Sequence, residues 1–196
     1  MEILLTAYLR EFHGDDDVSL TLKIVPWASN PVHVMSELAF FIEKSLQIPL
    51  EKAATVILLE DSLATSEMPS LYAAGDAFVL PSRGESRGLS LMEALSCEVP
   101  VIATRWGAPV EFLNEENSYL IEIEGLSQVP ASESFLPGHR WANPSVDHLR
   151  QLMRHVVSKS EEARTRAQRG RKEIVARHDW SVVLPLWERR ILHWMS

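Results

Sequence analysis

Apolar residues along this chain fall into short runs separated by stretches of helical spacing. Val18–Val25, Thr55–Leu59, Asp76–Leu80, Val99–Thr104 and Tyr119–Ile123 are β-branched or apolar runs bounded by polar or proline-containing segments, the signature of strands. Between them, Ile3-Leu4-Ala7-Tyr8, Val34-Leu38-Phe41-Ile42, Leu89-Met92-Leu95 and Leu149-Leu152-Met153-Val156 repeat apolar residues three and four positions apart, as amphipathic helices do. Strands alternating with helices imply a parallel sheet covered on both faces, an α/β doubly wound (Rossmann-like) layout. In such sheets ligands bind beyond the carboxyl ends of the strands.

Three segments break this rhythm. Residues 124–145 are rich in Ser, Pro and Gly without clean periodicity and read as a loop across one end of the sheet. Residues 161–178 gather Arg164, Arg166, Arg169, Arg171 and Lys172 among Glu161, Glu162 and Glu173, which reads as a solvated helix with acids first and bases later. A nucleic-acid patch is the weaker reading of the same residues, because no aromatics are interleaved with the bases. Trp180 to Trp194 forms an amphipathic segment interrupted by Pro185, so the chain divides into a domain over residues 1–178 and a terminal helix over 179–196.

Composition narrows the class. With 196 residues, 46% hydrophobic and 23% charged, the chain has enough apolar material for one domain with a core. The net charge of -8 argues against nonspecific binding to nucleic acid or anionic membrane. Cys97, the single cysteine, excludes an internal disulfide and is compatible with a reducing, cytoplasmic setting. No apolar stretch approaches the roughly 20 residues of a membrane helix, and no basic region precedes a hydrophobic core at the start. The seven histidines are scattered without ligand spacing, and Asp15-Asp16-Asp17 reads as a solvated acidic turn, so no metal and no cofactor are expected. Trp141-Ala142-Asn143-Pro144 ahead of Ser145-Val146-Asp147 reads as a packing and capping device at a helix start.

The candidate chemistry lies in Pro81-Ser82-Arg83-Gly84-Glu85-Ser86-Arg87-Gly88-Leu89-Ser90-Leu91-Met92-Glu93-Ala94-Leu95. A strand precedes it and a helix begins inside it, which puts Glu85 on the turn and Glu93 in the first turns of the helix. The amides of Gly88, Leu89 and Ser90 are expected to lie unpaired at the helix start, where backbone N–H groups and the helix dipole attract phosphate. Gly88 permits close approach of that backbone and a relaxed φ at the turn. Arg87 either pairs with the anion or points to solvent. A diphosphate carrying a sugar at each end suits such a place.

The run Ala73-Ala74-Gly75-Asp76-Ala77-Phe78-Val79-Leu80-Pro81-Ser82, then Glu85 to Glu93, then Val99-Pro100-Val101-Ile102-Ala103-Thr104, resembles the donor-binding half of retaining GT-B glycosyltransferases of the family-four type. Gly107-Ala108-Pro109-Val110-Glu111-Phe112 and Trp141-Ala142-Asn143-Pro144 extend the resemblance over most of residues 1–178. The family is known for its E-x7-E glutamate pair. The resemblance implies that Glu85 hydrogen-bonds hydroxyls of the transferred sugar and acts in catalysis, and that Glu93 accepts both vicinal hydroxyls of the nucleotide ribose. A carboxylate suits the second task because its two oxygens accept from adjacent O–H groups. The implied partner is a nucleotide-diphosphate sugar, with the acceptor unnamed.

Two departures accompany the resemblance. Ser86-Arg87 replaces the family's usual glycine and hydrophobic residue in the turn. The family's first strand with its Arg, the following Lys-Gly and the acceptor-binding domain are expected to be missing, since Met1 to Tyr8 aligns with the helix after the Lys-Gly. Charge stabilisation of the leaving diphosphate is usually the largest catalytic term, so the chain alone is expected to catalyse poorly. The alternative is a degenerate, noncatalytic interaction module; a nucleotide-sugar epimerase shares the architecture, but the glutamate pair argues against it. The apolar face of the terminal segment, Trp187, Ile191 and Trp194, is expected to be exposed and to drive self-association or to meet a separate acceptor domain.

Overall fold

The computed structural model describes residues 1–24, 31–130 and 138–195. Val25 of the first expected strand, residues 131–137 of the expected loop and Ser196 lie outside the described residues. All five expected strands form, as β1 (Ser19–Lys23), β2 (Thr55–Leu59), β3 (Phe78–Leu80), β4 (Val101–Thr104) and β5 (Tyr119–Ile121). They are parallel throughout. The helices between and around them are α1 (Glu2–Glu11), α2 (Pro31–Phe40), α3 (Met68–Ala73), α4 (Leu89–Ser96), α5 (Val146–Ser158), α6 (Ser160–His178) and α7 (Trp180–Met195).

β4 shows why this is a doubly wound sheet. All four of its residues are buried. Ile102 packs with Leu5, Leu9, Phe12, Leu149 and Met153 of the α1 and α5 side. Its neighbours Val101 and Ala103 pack with Leu91, Leu95 and Ile174 of the α4 and α6 side. Alternate side chains of a strand point to opposite faces, so a strand with helices on both faces must be apolar at nearly every position, as β4 is up to the buried Thr104 at its end. Burying each large aliphatic side chain of these two clusters contributes about 1.5–3 kcal/mol.

The parallel strands form two ladders, β1–β2 and β3–β4–β5, rather than one continuous sheet. Both ladders pack against one core, because Leu20, Leu22 and Val56 of the first and Val79 and Ile102 of the second join the same cluster as the α1 residues. Among the described residues, each of β1 and β3 pairs on one side only. The three residues of β3 are correspondingly only half-buried, unlike those of β4.

Residues 124–145 are not simply a loop. β6 (Ile123–Gln128) and β7 (Arg140–Pro144) pair antiparallel, with a register irregularity between Ile123 and Leu126. The alternation was invisible because the more buried positions of β6 are Ile123, Gly125 and Ser127, of which only the first is apolar. Polar bonding replaces apolar packing there.

α6 is also more than a solvated helix. Ala163, Ala167, Gly170 and Ile174 form a buried stripe at spacings of three and four. Small residues carry little hydrophobic signal, and the stripe lets α6 approach α4 closely: a Cβ on Gly170 would lie 2.6 Å from Leu95 Cδ2. Asp16 departs from the solvated-turn expectation, since Arg154 of α5 bonds both Asp16, at 3.3 Å, and Glu11, at 2.8 Å. The same guanidinium lies 4.4 Å over the Phe12 ring. α7 continues through Pro185, at the cost of the one backbone N–H a proline lacks, and none of its residues is buried.

Candidate functional site

The turn between β3 and α4 is held from two directions. On one side Gly107, which follows β4, packs beneath Glu85: Ala108 N–H donates to the Glu85 carbonyl at 3.3 Å. Gly107 has φ 77° and ψ -159°, a region open only to glycine, and a Cβ there would lie 3.1 Å from the Glu85 carbonyl oxygen. On the other side Arg83 bonds across to β7. Its carbonyl accepts from Ala142 N–H at 2.8 Å, and its Nε donates to the Ala142 carbonyl at 3.1 Å.

The Arg83 guanidinium completes a polar cluster. It donates to Ser127 Oγ at 2.8 Å and to Asn143 Oδ1, and it lies 4.2 Å over the Trp141 ring. Trp141 Nε1 donates to the same Ser127 Oγ at 2.9 Å. Arg83 and Ser127 carry no signal in the sequence without the β6–β7 pairing, and Gly107, which belongs to the resemblance, shows its supporting role only once the loop after β4 is in place. Trp141-Ala142-Asn143-Pro144 is the packing device expected, and Ser145 caps α5 by accepting from His148 N–H at 3.4 Å.

Gly88 is the N-cap of α4, in the left-handed conformation with φ 76° and ψ 42°. Its carbonyl accepts from Leu91 and Met92, which starts the helix. Its own amide is not free, contrary to expectation. Glu85 Oε1 folds back and accepts from Gly88 N–H at 3.1 Å and from Arg87 N–H at 3.3 Å. The amides of Leu89 and Ser90 are the first two of the helix and precede its own bonding pattern. An anionic oxygen therefore already sits at this helix start, supplied by the chain itself.

Of the remaining expected residues, Arg87 is exposed, and its side chain makes no hydrogen bond or ion pair among the described residues. Leu89 is exposed and Ser90 half-buried at the mouth of the same helix end. Glu93 lies one turn further along, exposed, and its Oε2 accepts from Tyr72 Oη at 2.8 Å. Burial, and secondarily this bond to Glu93, push the Tyr72 hydroxyl well above the ordinary phenol range, so it stays protonated and donates.

Among the described residues no three His, Cys, Asp or Glu side chains are placed to hold a metal ion. His148 Nδ1 accepts from Glu122 N–H at 3.0 Å, and His155 pairs with Glu162 at 3.3 Å. No described helix is long and apolar enough to cross a membrane. An open depression of about 640 Å³ lies along α7 between Trp180, Leu184, Trp187 and Ile191, and neither Glu85 nor Glu93 lines it. Its lining is nearly all apolar, with Glu188 the one charged residue, so it offers little to fix a polar ligand.

A parallel α/β domain with a strand–turn–helix junction at the carboxyl end of a strand has a Rossmann-like layout, the one that GT-B donor domains share. Residues 34–129 match the family model described as Glycosyl transferases group 1, and this part of the chain is a glycosyl transferases group 1 domain. The chain is 34% identical over 83 residues to the sulfoquinovosyl transferase SQD2 of Arabidopsis thaliana, covering 41% of this chain and 16% of that protein. It is 37% identical over 75 residues to the lipopolysaccharide core biosynthesis mannosyltransferase LpsB of Rhizobium meliloti, covering 36% and 21% respectively. The match thus spans about a fifth or less of the length of these curated relatives.

The fold is likewise shared with solved structures. The C-terminal domain of the glycosyl transferase group 1 family protein LpcC from Francisella tularensis superposes with a TM-score of 0.64 at 22% identity, over 91% of this chain and 79% of that one. HepE of Anabaena, solved in complex with UDP and glucose, superposes with a TM-score of 0.70 at 18% identity, over 98% of this chain and 44% of that one.

Proposed function

We propose that this chain is the nucleotide-sugar donor half of a retaining glycosyltransferase. In this reading the diphosphate sits on the amides of Gly88, Leu89 and Ser90, with Arg87 beside it. Glu93 accepts the ribose hydroxyls and Glu85 those of the transferred sugar. The observation that carries the reading is the Glu85 carboxylate bonded to the Gly88 and Arg87 amides, since it marks the helix start as a place that takes anionic oxygen. A bound diphosphate displaces that carboxylate, which releases Glu85 toward the sugar on the diphosphate's far end.

The chemistry follows from where charge develops. The bond between the anomeric carbon and the diphosphate oxygen breaks, the electron pair leaves with the nucleoside diphosphate, and an acceptor oxygen bonds the same face of the sugar while its proton passes to the departing diphosphate oxygen. Fixed amide dipoles aimed at the leaving oxygens stabilise the transition state more than the ground state. Turnover, as distinct from donor binding, requires an acceptor-binding domain, and in this reading α7 presents its apolar face to that partner.

Calorimetric titration of the full chain with UDP and with UDP-glucose tests the proposal. Glu93→Ala is expected to weaken both ligands by about 1–3 kcal/mol, as a charged hydrogen-bonding partner is lost. Glu85→Ala is expected to weaken UDP-glucose while leaving UDP unchanged or tighter, because the Gly88 amide is freed. Absence of binding by the unaltered chain would refute the donor-site reading and leave the noncatalytic interaction module. The absence of any buried residue in α7 is the observation that favours that second reading.

A further inference from the structure

Glu93 stands on an exposed face of α4, where a glutamate side chain ordinarily samples several rotamers. Tyr72 removes that freedom. The residue is 9% exposed and its ring packs edge-on against Phe78 at a centroid distance of 5.5 Å, so the phenol cannot follow a moving partner. The hydroxyl meets Glu93 Oε2 at 2.8 Å and uses one of the roughly four lone-pair positions of the carboxylate. Oε1 is left with its full accepting capacity, in an orientation set by α3.

We infer that Tyr72 is the positioning residue that holds the Glu93 carboxylate for a vicinal diol, so that α3 as well as α4 determines recognition of the ribose. The inference rests on the donor-site reading of Glu93. Recognising two adjacent hydroxyls demands a fixed carboxylate plane, because each O–H must find its own lone pair at hydrogen-bonding geometry. A rigid neutral donor supplies that plane without adding charge. Held this way, Glu93 has already given up the side-chain freedom that an unrestrained glutamate would lose at the moment of binding.

The test compares UDP with 2′,3′-dideoxy-UDP, calorimetrically, on the full chain and on Tyr72→Phe, Glu93→Gln and the double variant. Tyr72→Phe keeps the ring on Phe78 and removes only the hydroxyl. It is expected to reduce the preference for UDP over the dideoxy analogue by about threefold to tenfold, the scale of one modest hydrogen bond. Glu93→Gln is expected to reduce the same preference, and Tyr72→Phe on top of it to add no further loss. If Tyr72→Phe lowers the melting temperature but leaves the preference intact while Glu93→Gln reduces it, Tyr72 is only a strut between α3 and α4 and the inference fails. If Glu93→Gln itself leaves the preference intact, or the unaltered chain binds neither ligand, the donor-site reading fails and takes the inference with it.

Discussion

Gly107→Ala probes the support of the site without replacing any residue proposed to meet a ligand. At φ 77° and ψ -159° a residue with a Cβ is strained by about 1–3 kcal/mol. The new methyl would also lie 3.1 Å from the Glu85 carbonyl oxygen, a backbone atom that cannot rotate away. Relief requires moving the Glu85 peptide, which loosens the 3.3 Å bond from Ala108 N–H, worth at most about 1 kcal/mol. Against this, alanine restricts the unfolded chain and returns about 0.4–1 kcal/mol. The net expectation is a loss of about 1–3 kcal/mol. Gly84→Ala in the same turn is the control, because nothing lies within 4 Å of its Cβ position and its φ is not positive. It should be neutral or stabilise slightly. Urea unfolding followed by far-ultraviolet circular dichroism, with the two variants compared at unchanged m, measures both. A Gly107→Ala variant within about 0.5 kcal/mol of the parent, the range of ordinary surface substitutions, would refute the claim that this loop clamps Glu85.

Three further outcomes follow, two from the α1 end and one from α7. Burial pushes the Tyr8 hydroxyl up to about 12, so folding favours the neutral phenol: the contribution is complete below pH 10 and is lost as pH rises from 10 to 12. Melting temperature against pH should show that alkaline limb, to which Tyr72 also contributes, and Tyr8→Phe should make it shallower. The Asp16 carboxyl is held below its ordinary value by the His13 amide and then by Arg154, so its contribution is present above the usual carboxylate range and fades as pH falls through the lower folded value; Asp16→Asn should flatten the acid limb. On α7, Trp180, Trp187 and Trp194 are 72%, 65% and 74% exposed, and sedimentation should show mass rising with concentration. Trp187→Glu should abolish the rise, whereas a monomer at every concentration with those tryptophans shielded from quencher would contradict it.

The strands were legible because parallel strands buried on both faces must be apolar at nearly every position, and Val99–Thr104 and Tyr119–Ile123 announce themselves that way. The β6–β7 pair was not, since Gly125 and Ser127 hold its inner positions and its cohesion comes from Arg83, Ser127, Asn143 and Trp141. Such bonds join residues far apart in the chain and leave no period. α6 fell between these cases: its period is regular, but alanine and glycine write it too faintly to outweigh the arginines around them. The break between the β1–β2 and β3–β4–β5 ladders has no local signal in either strand, because an unpaired edge is a property of what lies beside a strand.

The site shows the same division between what a motif states and what only packing decides. Spacing and residue type were enough to put Glu85 on a turn and Glu93 on a helix, and to mark Gly88 as the residue where backbone comes close. They were not enough to show that Glu85 would bond its own turn, because that depends on a glutamate three residues before an N-cap glycine in the left-handed conformation. On the donor-site reading that bond bears directly on function. A carboxylate already on the Gly88 and Arg87 amides competes with phosphate for them, so the apparent affinity for any diphosphate is lowered by the free energy of that internal bond, about 1.5–3 kcal/mol for a charged acceptor before solvent exposure reduces it. The exchange would also order events. Phosphate must arrive before Glu85 is released, which makes the sugar-contacting carboxylate available only when a diphosphate is seated to carry the sugar.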